Sequence, residues 1–212
     1  VQDTAWDGYE EIPSWIMQGY GTMAMEAGEQ LKEYGCERPT HIFVQAGVGS
    51  LAGAVVGYFS NLYADNPPVF VVVEAEAAAC LYKGAAAGDG QIRIVDGDME
   101  TIMAGLACGE PNTISWDILK NHVKVFIAAP DWVAATGMRM LGAPIKGDAP
   151  VTSGESGAAP FGALAAVMSM DEYAELRKDI GLDENSRVLL FSTEGDTDPD
   201  RYKNIVWKGL DK

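Results

Sequence analysis

The chain is short of positive charge and of histidine. Fifteen lysines and arginines stand against 31 aspartates and glutamates, for a formal net charge of −16. Proteins that bind along a nucleic-acid backbone need clustered Lys and Arg, so nucleic acid is excluded as a partner class. The 2 histidines, His41 and His122, stand apart and are expected to be packing or surface residues. Cysteine is scarce too. Three in 212 residues fit a reducing, cytoplasmic setting better than a disulfide scaffold. No apolar run is long enough to cross a bilayer, so no membrane partner is expected, and no signal peptide is visible. Asp196, Asp198 and Asp200 alternate like cation ligands. No glycine or distal glutamate completes a calcium loop, so a solvated acidic loop and no metal site are expected. There is no internal repeat and no low-complexity tract. The chain starts at Val1 rather than Met, which suggests a processed product or a fragment.

What is present is ordinary globular material, 48% apolar and 22% charged, enough for one domain with a sizeable core. Apolar positions from Ile16 to Tyr34 fall at helical spacing, with Gly35 as a closing residue. Ile42 to Val44, Val69 to Val73, Val123 to Ala128 and Val188 to Phe191 are apolar runs of strand length. Ile92 to Val95 is a candidate fifth strand. Helices are expected over 51–62, 75–83, 116–121 (capped by Ser115), 131–141 (capped by Asp131), 161–170 and 172–180 (capped by Asp171). Strands alternate with helices, and no stretch alternates apolar with polar. The fold class is therefore α/β, a mostly parallel sheet flanked by helices. In such sheets ligands bind outside the carboxyl ends of the strands. The cradle after Gln45, Glu74 after Val73 and Ser192 after Phe191 all fall at such ends.

The chain is organised around HIFVQAGVGSLAG, residues 41–53. A strand that ends in glycines and opens a helix brings backbone N–H groups and the positive end of a helix dipole to one point. Ala46, Gly47, Val48, Gly49 and Ser50 are thus candidates for holding a phosphate, with the Ser50 hydroxyl as a further donor. The same pattern also occurs where glycines serve only close packing. A dinucleotide-binding module is a second alternative. There Glu74, at the end of the next strand, would take a ribose hydroxyl, although the glycine spacing departs from G-x-G-x-x-G.

Five segments, the cradle among them, occur in an order that resembles the fold type II pyridoxal-phosphate (PLP) enzymes, the family of threonine dehydratase, cysteine synthase and the tryptophan synthase β chain. Gly19 to Glu26 (GYGTMAME) resembles that family's G-Q-G-T-x-A-x-E helix. Residues 46–53 stand in the place of its glycine cradle, and Val73-Glu74 in the place of V-E-P. Thr101 to Pro111 resembles its T-I-A-D-G-x-A segment, and Ser192 to Asp196 (STEGD) its serine loop. Within the family, DTAWDGYEEIP, AGVGSLAG, MAGLACGEPN and SGESGA are most similar to the branch that eliminates ammonia from 2,3-diaminopropionate.

The resemblance implies PLP as cofactor, a small amino acid as substrate and an α,β-elimination to pyruvate and two ammonia. A related threonine or serine dehydratase activity is the alternative. It implies a homodimer, with the phosphate on Ala46 to Ser50, the pyridine nitrogen near Ser192 and Thr193, and Glu155 beside cofactor or substrate. Asp3 is a candidate catalytic carboxylate facing the substrate, with a plain loop acid as the competing reading. The family's Schiff-base lysine lies upstream of the cradle. Only Lys32 precedes it here, out of context, so residues 1–212 are expected to be the C-terminal part of the large domain and inactive alone. Cys80 and Cys108 flank the cofactor side and are expected to be free buried thiols rather than a disulfide. A sheet short of its neighbours is also expected to expose apolar edges and to associate with a second copy.

Overall fold

The computed structural model describes residues 1–210. Four strands form one sheet in the order β3-β2-β1-β4. These are β1 (His41–Gln45), β2 (Val69–Ala75), β3 (Val123–Ala129) and β4 (Val188–Leu190). All pairings are parallel, with Gln45 opposite Val73 and Phe43 opposite Leu190. Their carboxyl ends therefore share one side of the sheet.

Helices cover both faces, and the central strands feed two cores. Ile42, Val44, Phe70 and Val72 pack with Val55 and Phe59 of α2 (Ser50–Leu62) and with Trp116 and Leu119 of α4 (Thr113–His122). Ala24 of α1 (Glu11–Glu33) and Leu81 of α3 (Cys80–Ala87) join the same core. Phe43, Val71 and Val73 enter the second core, with Val133 and Met138 of α5 (Asp131–Gly142) and Ala159 and Val167 of α6 (Glu155–Ser169). Ile180 of α7 (Ala174–Ile180) and Ile205 of α8 (Pro199–Val206) close it. Because successive strand residues go to opposite cores, both must be apolar, and the sequence cannot alternate. α5 and α6 pack backbone to backbone. A Cβ on Gly137 would strike the Ala158 carbonyl, and one on Gly162 the Val133 carbonyl.

Several local expectations are corrected. Residues 92–95 form no strand; Val95 instead donates its N–H to Gly109 O (2.8 Å), tying a loop. The helix expected from Ala75 starts later. The strand runs through Ala75, a 3₁₀ turn covers Glu76–Ala78, and α3 begins at Cys80. Asn112, not Ser115, caps α4, accepting from Ile114 N and Ser115 N. Asp131 lies in the first turn of α5 after Pro130 and takes partners elsewhere, and Asp171 opens a 3₁₀ turn rather than a helix. The helix expected over 161–170 begins earlier, with Glu155 to Ala159 as the first turns of α6. Asp198 caps α8 through Arg201 N, so the acidic loop is partly a helix start. His41 is a packing residue, with Nδ1 on Thr40 Oγ1 (2.8 Å) and Nε2 on Ile180 O (2.9 Å).

Candidate active site

A cavity of about 420 Å³ opens at the carboxyl end of β1. One wall is the β1–α2 turn. Ala46 N completes the ladder on Val73 O (2.9 Å), Gly49 takes a left-handed φ of 101°, and α2 starts at Ser50. This conformation favours glycine, and a Cβ on Gly49 would also stand 2.8 Å from Ser115 Oγ. A Cβ on Gly47 would crowd Gly105 O (3.2 Å) and Cys108. Among the described residues, the N–H groups of Gly47, Val48, Gly49 and Ser50 meet no protein acceptor. Unpaired amides at a helix start are receptive to an anion, and the donor set fits a phosphate monoester.

The Ser50 hydroxyl has a different role from the one expected. It donates to the backbone carbonyl of Asp3 (2.9 Å) and accepts from Asn112 Nδ2 (2.9 Å). Asn112 Nδ2 also reaches Asp3 O (2.5 Å), while its Oδ1 caps α4. All four hydrogen-bonding positions of this amide are filled. Asp3 thereby joins the cavity wall beside Tyr20 of α1. Burial, with the Asp3 charge second, pushes the Tyr20 phenol up, and the same two causes in the same order raise the Cys108 thiol.

The opposite wall is the loop after β4 and the start of α6. Gln45 Nε2 donates to Phe191 O (2.9 Å) and to Thr193 Oγ1 (2.9 Å), while Gln45 Oε1 is buried without a protein partner. Thr193 and Glu194 line the cavity. Glu194 Oε2 accepts from Ser156 N (2.6 Å) and Gly157 N (3.3 Å). Ser192 stands outside the cavity lining and donates to Ser153 Oγ (2.8 Å). Glu155 also lies beside rather than in the lining, 3.8 Å from Arg201. Burial raises its carboxyl, with Glu194 a smaller contributor and Arg201 opposing. The third wall is Gly105, Leu106 and Cys108; Gly105 N donates to Ser156 Oγ (3.2 Å), and Asp131 holds the segment before it, accepting from Thr101 Oγ1 (2.5 Å) and Ile102 N (3.2 Å).

Of the residues singled out in the sequence, Asp3, Ala46 to Ser50 and Thr193 thus share one cavity, whereas Ser192 and Glu155 flank it. The sequence reading missed Gln45, Tyr20, Asn112 and Glu194 as site residues, whereas Ser156 of the SGESGA segment does line the cavity. Gln45 could have been found as a polar residue ending a buried strand, and Asn112 as a capping residue after a proline. The dinucleotide alternative fails at Glu74. That side chain is fully buried, and its two oxygens accept from Leu81 N (2.8 Å) and Tyr82 N (2.6 Å), so neither is free for a ribose. Burial raises its carboxyl to about 7 against those hydrogen bonds.

A parallel α/β sheet with an open amide cradle at the carboxyl end of a central strand defines a protein that holds a phosphate-bearing small molecule. The model of the family described as pyridoxal-phosphate dependent enzyme matches residues 5–194, and the chain belongs to that family. It is 55% identical to diaminopropionate ammonia-lyase of Salmonella typhimurium over 99% of this chain and 52% of that protein. It is 50% identical to diaminopropionate ammonia-lyase of Escherichia coli, again over 99% of this chain and 52% of that protein. The crystal structure of the E. coli enzyme with an aminoacrylate-PLP azomethine intermediate superposes with a TM-score of 0.90 at 47% identity, covering 100% of this chain and 53% of that one. A threonine deaminase at 21% identity shares the fold, with a TM-score of 0.68 over 86% of this chain and 59% of that one. The chain spans about half the length of the curated relatives it matches.

Proposed function

We propose that this chain is the cofactor-holding part of a PLP-dependent ammonia-lyase that converts 2,3-diaminopropionate to pyruvate and two ammonia. The observation that carries the reading is the row of unpaired amides from Gly47 to Ser50 facing a cavity that also contains Asp3. Identity of 50–55% to two diaminopropionate ammonia-lyases supports the substrate.

Gly47, Val48, Gly49 and the start of α2 hold the phosphate by N–H donation and the helix dipole. Ala46 and Gln45 form the floor. Thr193, with its oxygen already accepting from Gln45, keeps its own proton to give to an acceptor in the cavity; Ser192 and Glu155 support that end from the side. Asp3 pairs the distal ammonium of the substrate or takes a proton. PLP, when bound, supplies the electron sink that makes the Cα proton removable. The protein's task is orientation and charge placement. No lysine is among the cavity-lining residues, which fits a Schiff-base lysine contributed by another part of the parent protein. In this reading residues 1–212 are the C-terminal part of the large domain, without turnover alone. The parent works as a cytoplasmic homodimer.

The test is pyruvate release from 2,3-diaminopropionate by the protein with its upstream half restored and PLP added, with threonine and serine in parallel. Preferred turnover of diaminopropionate is expected. Preference for threonine or serine moves the substrate assignment to a dehydratase, and absence of any PLP absorbance on the protein overturns the cofactor reading.

A further inference from the structure

The loop that carries Thr193 is held from two sides. On the sheet side, Gln45 Nε2 faces Phe191 O, which can only accept. The amide orientation is thereby fixed, and the same nitrogen reaches Thr193 Oγ1. On the helix side, Glu194 makes a double clasp. Its backbone carbonyl accepts from Gly154 N (2.9 Å), and its carboxylate takes the Ser156 and Gly157 N–H groups at the start of α6. The fit is close. A Cβ on Gly154 would stand 2.6 Å from Glu194 Cγ, and one on Gly157 would stand 3.1 Å from Glu194 N. A carboxylate on the first-turn amides of a helix forms charge-assisted bonds with the favourable end of the dipole.

We propose that Glu194 is a positioning residue, clasping the first turn of α6 so that the neighbouring Thr193 hydroxyl is presented to the ligand cavity. The clasp also fills the α6 N-terminus from within, leaving the α2 cradle as the seat for a ligand phosphate. The role of Thr193 toward PLP rests on the cofactor reading above; the clasp itself does not.

The experiment uses the protein with its upstream half restored and compares the unaltered sequence with Glu194→Ala and Glu194→Gln. It measures PLP affinity and the induced visible circular dichroism of bound PLP, together with amide hydrogen exchange at Ser156 and Gly157. Glu194→Ala is expected to weaken PLP about tenfold and diminish the induced band, and to raise exchange at both amides by about tenfold or more. Glu194→Gln retains an acceptor oxygen and is expected to stay within about threefold of the unaltered chain. Unchanged PLP affinity and dichroism in Glu194→Ala, even with a lowered Tm, overturns the positioning role. Unchanged exchange at Ser156 and Gly157 overturns the clasp. If the unaltered restored protein binds no PLP, the cofactor reading falls together with the role assigned to Thr193, and the exchange data still decide the clasp.

Discussion

The Ser50 hydroxyl donates its one proton to the backbone carbonyl of Asp3, 2.9 Å away, and so joins the cradle to the first residues of the chain. Asn112 braces the same carbonyl and the same hydroxyl. Ser50→Ala is expected to lower stability by about 1–2 kcal/mol, since Asn112 Nδ2 loses a buried acceptor. It is also expected to speed proteolysis before Glu11. Urea unfolding and limited proteolysis check both.

Gly53 lies in α2 against α4, where a Cβ would be 2.7 Å from Ser115 Cβ and 3.0 Å from Met17 Cε. Gly53→Ala is expected to destabilise by about 1–3 kcal/mol through overpacking, despite the better helix propensity of alanine. A thermal melt that rises would contradict this contact.

Glu74 links stability to pH. Its carboxyl titrates near 7 in the fold against 4.5 when unperturbed, with desolvation as the main cause. Between those values the folded chain holds more protons than the unfolded chain, so stability falls as pH rises. The contribution is fully present below pH 4.5 and lost once pH passes about 7. Glu74→Gln is expected to flatten this part of the profile, as followed by Tm from pH 4.5 to 8.

The buried Cys80 thiol is expected to resist modification, whereas Cys108, expected to be buried as well, is only half-buried at the cavity. Cys80 and Cys108 are free. Desolvation first, and the Glu74 charge second, push Cys80 up to about 12. Its Sγ donates to Cys108 O (3.5 Å). Under native conditions at pH 8, Cys80 is expected to react with a chromogenic disulfide reagent only on the timescale of unfolding, and all 3 cysteines promptly in denaturant. Fast native labelling of Cys80 would refute its burial.

Asp131 reaches from α5 to Thr101 and Ile102 and so fixes the cavity wall that follows them. Asp131→Ala is expected to weaken PLP binding several-fold, by about 1 kcal/mol, with a comparable loss of stability. Fluorescence titration with PLP tests it.

The sheet was legible in the sequence because strands buried on both faces leave continuous apolar runs, as at Val69 to Val73. The residues 92–95 misled for the same reason. Ile92 and Ile94 look like a strand, yet they are exposed, and Val95 pairs only with Gly109. Helix starts were less legible, because several side chains of capping type suit each one. Asn112 and Ser115 compete for α4, and only the fold decides that Ser115 turns back onto Asn112 O (2.9 Å). At the site, the cradle could be read from its glycines, since they are consecutive in the chain. The partners of Ser50, Gln45 and Glu194 could not, because they are set by how distant segments meet.

Those distances along the chain have a kinetic consequence. Asp3 meets Asn112 across 109 positions, and Gln45 meets Thr193 across 148. The cavity therefore cannot exist in a nascent chain until the loop after β4 has been synthesised. High sequence separation slows such closure. The cradle turn, local and early to form, waits as an unfinished half. A ligand that needs both walls selects molecules in which these distant segments have met, and its binding energy is added only to these.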